Sequence, residues 1–299
     1  MYIVMQQVLL LLLFATVGYI LCKAGKVNSA HTKLISALQV YVFLPCTVIN
    51  TYTANFTIPY IREKYPLLIA SFVILGVLLV VGDVLSKMLA EKGYLRSVYR
   101  YSLTLSNYGG FGYPLVSGLF DELMLQNAMI FALPLSMYSS THGYAMLTKT
   151  PFKLKKIFSP VVVASIIGAI IGLTGFQLPY VLDALVDKCA ACMAPVCMLM
   201  VGMVISEFDI LSLLKGRKNY IVAALRLLVL PIAIAGSLKL LGFEDIVIPA
   251  LMMYAMPCGM NTVVFPRLVD EDCQTGASLT LITSVLACVT VPICVTIFT

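Results

Sequence analysis

Two stretches of this 299-residue chain place amide side chains among helix-weakening residues inside otherwise apolar runs. The first is Ser106-Asn107-Tyr108-Gly109-Gly110-Phe111-Gly112-Tyr113-Pro114, and the second is Met256-Pro257-Cys258-Gly259-Met260-Asn261-Thr262-Val263-Val264-Phe265-Pro266. In a helix interior Gly costs about 1 kcal/mol against Ala and Pro about 3, so both stretches invite a break. A break frees backbone N–H and C=O groups, and half-helix N-termini carry partial positive charge. Asn107 and Asn261 add donors and acceptors that orient a guest, with Gly109, Gly110, Gly112, Pro114, Pro257 and Gly259 as the backbone around them. Such an assembly binds an anion and leaves its covalent bonds alone. The same residues also suit plain helix packing, in which Gly permits close approach and Pro a kink. A matched pair of such stretches points to a ligand site.

A second matched pair is Pro45, in Leu44-Pro45-Cys46-Thr47-Val48-Ile49-Asn50, and Pro195, in Ala194-Pro195-Val196-Cys197. Kinks here open room beside the broken stretches, with Thr47 and Asn50 offering polar atoms; simple kinking explains them equally well. Ionisable groups inside apolar runs are costly and are functional candidates by default. Asp83 and Arg226 are the main ones, Asp83 as a proton-binding or supporting group and Arg226 as an attractor of anions. Local pairing of Asp83 with Lys87 and snorkelling of Arg226 are the competing readings. His142 titrates near neutral pH in water, but a lone histidine is usually structural. Cys189-x-x-Cys192 has no second pair or histidine cluster, so no metal or cofactor is expected. Paired aspartates, Ser with His, and His-rich spacing are missing from the apolar runs, which argues against an intramembrane enzyme.

The elements that must hold these residues are set by composition. Hydrophobic residues make up 61% of the chain and charged residues 11%, with mean hydropathy +0.98. Soluble domains run near 45–50% and 25%. A chain this apolar cannot cover itself with polar groups in water, so it is an integral membrane protein. A helical span needs about 20 mainly apolar residues. That rule gives ten spans, near 3–22, 34–51, 65–86, 101–120, 124–148, 160–178, 183–206, 219–241, 246–266 and 274–298. The first lacks a basic segment before it and reads as a span rather than a signal peptide.

Of the 20 Lys and Arg residues, fifteen fall in loops after odd-numbered spans and four after even-numbered ones. The positive-inside bias then puts odd loops in the cytoplasm and both termini outside the cell membrane. Membrane orientation also accounts for the net charge of +6 without nucleic acid. Prolines and asparagines recur at offsets near half the chain: Pro45 with Pro195, Asn107 with Asn261, Pro114 with Pro266, Pro134 with Pro292. With five spans per half, the second half must insert upside down. The expected organisation is therefore all-α: residues 1–148 as one five-helix repeat, 149–159 as a cytoplasmic connector, and 160–299 as an inverted repeat.

With these residues assembled, the chain resembles the auxin efflux carrier family, in its short microbial permease branch. The likeness rests on Val42-Phe43-Leu44-Pro45, on Asn107 to Leu115, on Pro195 with Val201-Gly202, and on Ala255-Met256-Pro257. It implies an inverted five-plus-five fold with broken, crossing fourth and ninth helices. It also implies a scaffold of spans 1, 2, 6 and 7, often dimeric, and an elevator-like carrier of spans 3–5 and 8–10 moving small carboxylates. The long cytoplasmic loop of plant auxin exporters is absent, which speaks against auxin itself. Sodium- or proton-coupled carriers of the bile-acid symporter type share this logic, whereas a channel would want a continuous polar lining.

Overall fold

The computed structural model describes residues 2–28, 31–91, 93–151, 158–267, 269 and 271–298. Lys92, Lys153, Lys155 and Lys156, part of the charge asymmetry, and most of the expected connector lie outside the described residues.

Helix dominates because the runs are apolar and a backbone in hydrocarbon must satisfy its own hydrogen bonds. Six continuous helical stretches among the described residues are long and apolar enough to cross a membrane: Met5–Lys23, Thr32–Thr53, Ile58–Leu89, Tyr180–Ile205, Arg217–Leu240 and Gln274–Phe298. Pro160–Thr174 is apolar but shorter. The expected spans near 101–120 and 246–266 are each divided. Tyr94–Thr104 stops, Leu105 turns extended, and helix resumes at Tyr108–Gly112 and Tyr113–Leu119. Glu244–Tyr254 stops likewise and resumes at Asn261–Arg267. The first of these begins seven residues before the expected boundary, since Arg96 and Arg100 are helical rather than loop residues. Their charge hid the helix from a reading based on hydropathy.

Three prolines are accommodated in the same way. The wide π turns Gln39–Phe43, Tyr108–Gly112 and Leu225–Val229 are each followed, two residues on, by Pro45, Pro114 and Pro231. A proline ring clashes with the carbonyl four residues back and lacks an N–H to bond it. A π turn there widens the helix where that carbonyl must be moved aside. Pro195 is handled differently: it sits near the start of Met193–Ile205, just after Tyr180–Ala191 has ended at Cys192.

Helices meet through small residues, as expected where lipid supplies no hydrophobic drive between them. Tyr2–Lys23 packs on Met193–Ile205, with Gly18 against the Leu199 backbone and Gly202 against Ala15. Leu44–Asn55 packs on Pro160–Thr174, with Gly168 under the Tyr52 side chain and Gly172 against Phe56. Elsewhere buried hydrogen bonds join helices. Ser71 donates to the Phe131 carbonyl, Tyr60 to Asn127 Oδ1 at 2.5 Å, and Tyr99 to Asn219 Oδ1 at 2.9 Å. The largest fully buried side chains include Tyr101, Leu103, Leu105, Phe111 and Tyr254, which surround the two interruptions.

Candidate functional site

The two interruptions meet. Ser106 and Cys258 face each other as a single antiparallel pair of extended residues. The Asn107 N–H donates to the Pro257 carbonyl at 2.8 Å, and the Ser106 hydroxyl to the Met253 carbonyl at 2.5 Å. The Cys258 N–H is taken by Thr283 Oγ1 at 3.0 Å. Backbone groups released by the two breaks are thus satisfied partly by each other and partly by a neighbouring helix, which lets irregular backbone persist in the interior at little cost. Residues 251–260 are all buried.

Asn107 is 9% exposed. Its Oδ1 accepts from the Gly110 N–H at 3.2 Å, capping the helix that restarts at Tyr108. Its Nδ2 has no partner among the described residues. Asn261 is half-buried; its Nδ2 donates to the Tyr101 hydroxyl at 3.0 Å and to Ser139 Oγ at 3.1 Å. Those two hydroxyls bond each other at 2.7 Å. The Oδ1 of Asn261 is open among the described residues.

The glycines divide by what surrounds them. A Cβ on Gly110 would collide with Cys197 Sγ, on the helix that carries Pro195. On Gly112 it would come 3.2 Å from Met256 Cγ, and on Gly259 3.3 Å from the Ser106 carbonyl and Tyr101 Cε1. On Gly109 it would meet nothing within 4 Å. Gly109 therefore borders open space beside the break, whereas the other three permit close contact. Pro114 lies in the first turn of Tyr113–Leu119, and Pro257 lies in the non-helical gap itself.

Thr47 and Asn50 stand apart from this arrangement. The Thr47 hydroxyl donates to the Phe43 carbonyl of its own helix at 2.8 Å, across Pro45. Asn50 is half-buried, and no hydrogen bond among the described residues joins either to Asn107 or Asn261. Asp83 lies at the end of Ile58–Leu89 in a basic cluster, with Lys87 at 2.5 Å, Arg96 at 3.1 Å and Arg100 at 3.5 Å. Arg226 does not snorkel; it is fully buried. It sits in the π turn Leu225–Val229, donates to the Leu103 carbonyl at 3.3 Å, and has its Cζ 5.6 Å from the Tyr254 ring centre.

A cavity of about 510 Å³ opens beside the cluster, lined by Gly93, Arg96, Ser97, Arg100, His142, Ala145 and Met146. His142 leans on Tyr138, ring centres 5.3 Å apart, and belongs to the same π turn, Ser139–Gly143, as the Ser139 that holds Asn261. This puts a basic vestibule one turn from the crossing.

Sequence reasoning missed Tyr101, Ser139, Tyr254 and Thr283. Each is a common residue in an apolar helix, and its place at the crossing depends on partners 25–160 positions away.

The sequence model of the family described as membrane transport protein matches residues 3–151 and 144–295. An uncharacterised transporter of Methanocaldococcus jannaschii is 26% identical over 298 residues, covering 94% of each chain.

Proposed function

The chain belongs to the membrane transport protein family, the auxin efflux carrier family of transporters, and from that premise we propose a secondary active transporter of small organic anions, mono- or dicarboxylates. It is a multi-pass membrane protein and a transporter rather than an enzyme. The observation that carries the substrate class is the meeting of two interrupted helices with an unpartnered amide N–H at Asn107 and an open space at Gly109. Interrupted helices near a midplane are how secondary transporters hold charged guests without a pore. Asn107 and Asn261 orient the guest, with Gly109, Gly110, Gly112, Pro114, Pro257 and Gly259 shaping the crossing. Thr47 and Asn50 line the approach from the second span.

In this reading ten spans form two inverted five-helix repeats, the six long helices being joined by Pro160–Thr174, the two interrupted ones, and the run of Glu122–Tyr138, Ser139–Gly143 and Tyr144–Thr148. Spans 1, 2, 6 and 7 form a scaffold, and spans 3–5 and 8–10 an elevator carrying the crossing. The glycine contacts at Gly18, Gly202, Gly168 and Gly172 support the scaffold, because they pair span 1 with span 7 and span 2 with span 6. Both termini lie outside the cell membrane. The vestibule of Arg96, Arg100 and His142 then faces the cytoplasm, where its positive charge concentrates anions. Asp83 is a supporting charge that holds this cluster in register by binding three cations at once. Pro45 and Pro195 mark where scaffold helices bend away from the moving crossing.

Uptake into liposomes by the purified chain tests the proposal, with a panel of mono- and dicarboxylates. At least one should accumulate, and Asn107→Ala and Asn261→Ala should each remove that uptake while remaining folded. Wild-type uptake in both variants would end the assignment of the crossing as the site.

A further inference from the structure

Arg226 carries a full positive charge into the interior with no acid beside it. It forms no ion pair among the described residues, and its Nε and Nη2 are buried without an acceptor. A buried charge must be balanced by something, because desolvation disfavours it strongly. What surrounds this one is the broken ends of two helices. Its Nη1 donates to the carbonyl of Leu103, in the last turn of Tyr94–Thr104. In an unbroken helix that carbonyl would take the N–H of Asn107, but Asn107 donates to Pro257 instead. The break has orphaned an acceptor, and Arg226 fills it. The ring under the guanidinium belongs to Tyr254, the last residue of Glu244–Tyr254. Each helix C-terminus carries roughly half a negative charge, so two together offset about one cation.

Unwound carbonyls and half-helix C-termini are also where transporters with interrupted helices hold a coupling sodium ion. We propose that Arg226 is a tethered cation standing in that place, so that this chain moves its substrate without sodium. The proposal deepens the reading of the crossing as a transport site and rests on it. The local sequence serves the role: Pro231 goes with the π turn Leu225–Val229, and that turn turns Arg226 inward rather than to the membrane surface. A π turn that re-aims one side chain is a recurrent feature of functional sites.

The test has two arms on the full chain. In liposomes, carboxylate uptake by wild type is measured with sodium chloride or choline chloride outside at equal ionic strength. It should agree within about twofold. In detergent, thermal unfolding is followed in the same two salts. Wild type should melt alike in both. Arg226→Gln should melt lower in choline and recover by about 2–4 °C in sodium or with millimolar guanidinium ion. Arg226→Lys, which keeps the charge, should stay indifferent to sodium. Wild-type uptake or stability that rises with sodium would overturn the proposal, as would an Arg226→Gln that ignores both cations. If that variant does not fold, the wild-type comparison of salts still decides. If wild type moves no carboxylate in either salt, the carrier reading fails, while the melting arm continues to judge the tethered cation.

Discussion

The two interrupted helices carry the same residue just after the break and employ it in opposite ways. Asn107 folds its carbonyl oxygen back onto its own helix, at the Gly110 N–H, and leaves its amide nitrogen open. Asn261 commits its amide nitrogen outward, to Tyr101 and Ser139, and leaves its oxygen open. The first break is shaped locally by a cap. The second is held by the first interrupted helix, through Tyr101, and by the π turn Ser139–Gly143. Matching residue types in two halves of a chain therefore supply a donor on one side and an acceptor on the other. For a carboxylate this puts the inviting group at Asn107, and Asn261 suits a hydroxyl or a protonated acid oxygen.

Substitutions that force the breaks apart should have the largest effect on this asymmetry. Gly110→Val pushes a side chain into Cys197 and the Asn107 cap together. It should lower the melting temperature by about 3–8 °C and remove uptake, because overpacking costs roughly 1–3 kcal/mol. Gly259→Ala meets its neighbours at 3.3 Å and should cost less, retaining a folded protein with slowed uptake. A thermal melt on both variants ranks them; the reverse order would mean that the second break, not the first, is the tighter one.

Next come the hydroxyl partners. Tyr101→Phe removes one of the two acceptors of Asn261 but touches nothing at Asn107, so uptake should fall about tenfold, near 1.4 kcal/mol in a rate. Because either asparagine variant alone removes uptake, the pairs are read in the melt: combined with Asn261→Ala the stability lost by Tyr101→Phe should add little, whereas combined with Asn107→Ala the losses should add. Melting temperatures of the double variants give the answer. Equal additivity in both pairs would show that the two breaks are supported alike.

The cap itself should be a smaller matter for stability. Asn107→Ala forfeits a side-chain cap worth about 1 kcal/mol, a drop of a few degrees in the melt. Smallest of all is Gly109→Ala, where the added methyl has open space. It should hold stability within about 0.5 kcal/mol, and any loss it shows should appear as a raised KM for the guest rather than as unfolding.

The interruptions were readable because Gly and Pro cluster there around an Asn and their penalties are intrinsic to the backbone. Asn107, Gly110, Pro257 and Gly259 could therefore be named from their types alone. The burial of Arg226 was not readable, because a residue two turns into a span has the reach to snorkel as well as to turn inward. Asp83 was legible as half of a pair with Lys87, four residues on, but Arg96 and Arg100 join it only through the turn between two helices.

By itself the sequence determined the membrane, the helical backbone and the two places where helix fails. These follow from hydropathy and from local torsional cost, which act within a few residues. The tertiary structure alone decided that the two failures meet at Ser106 and Cys258, that Asn107 and Asn261 divide donor and acceptor between them, and that Arg226 takes up the orphaned carbonyl of Leu103. Hydrogen bonds between groups more than a hundred positions apart are fixed by packing, and no local preference of the chain encodes them.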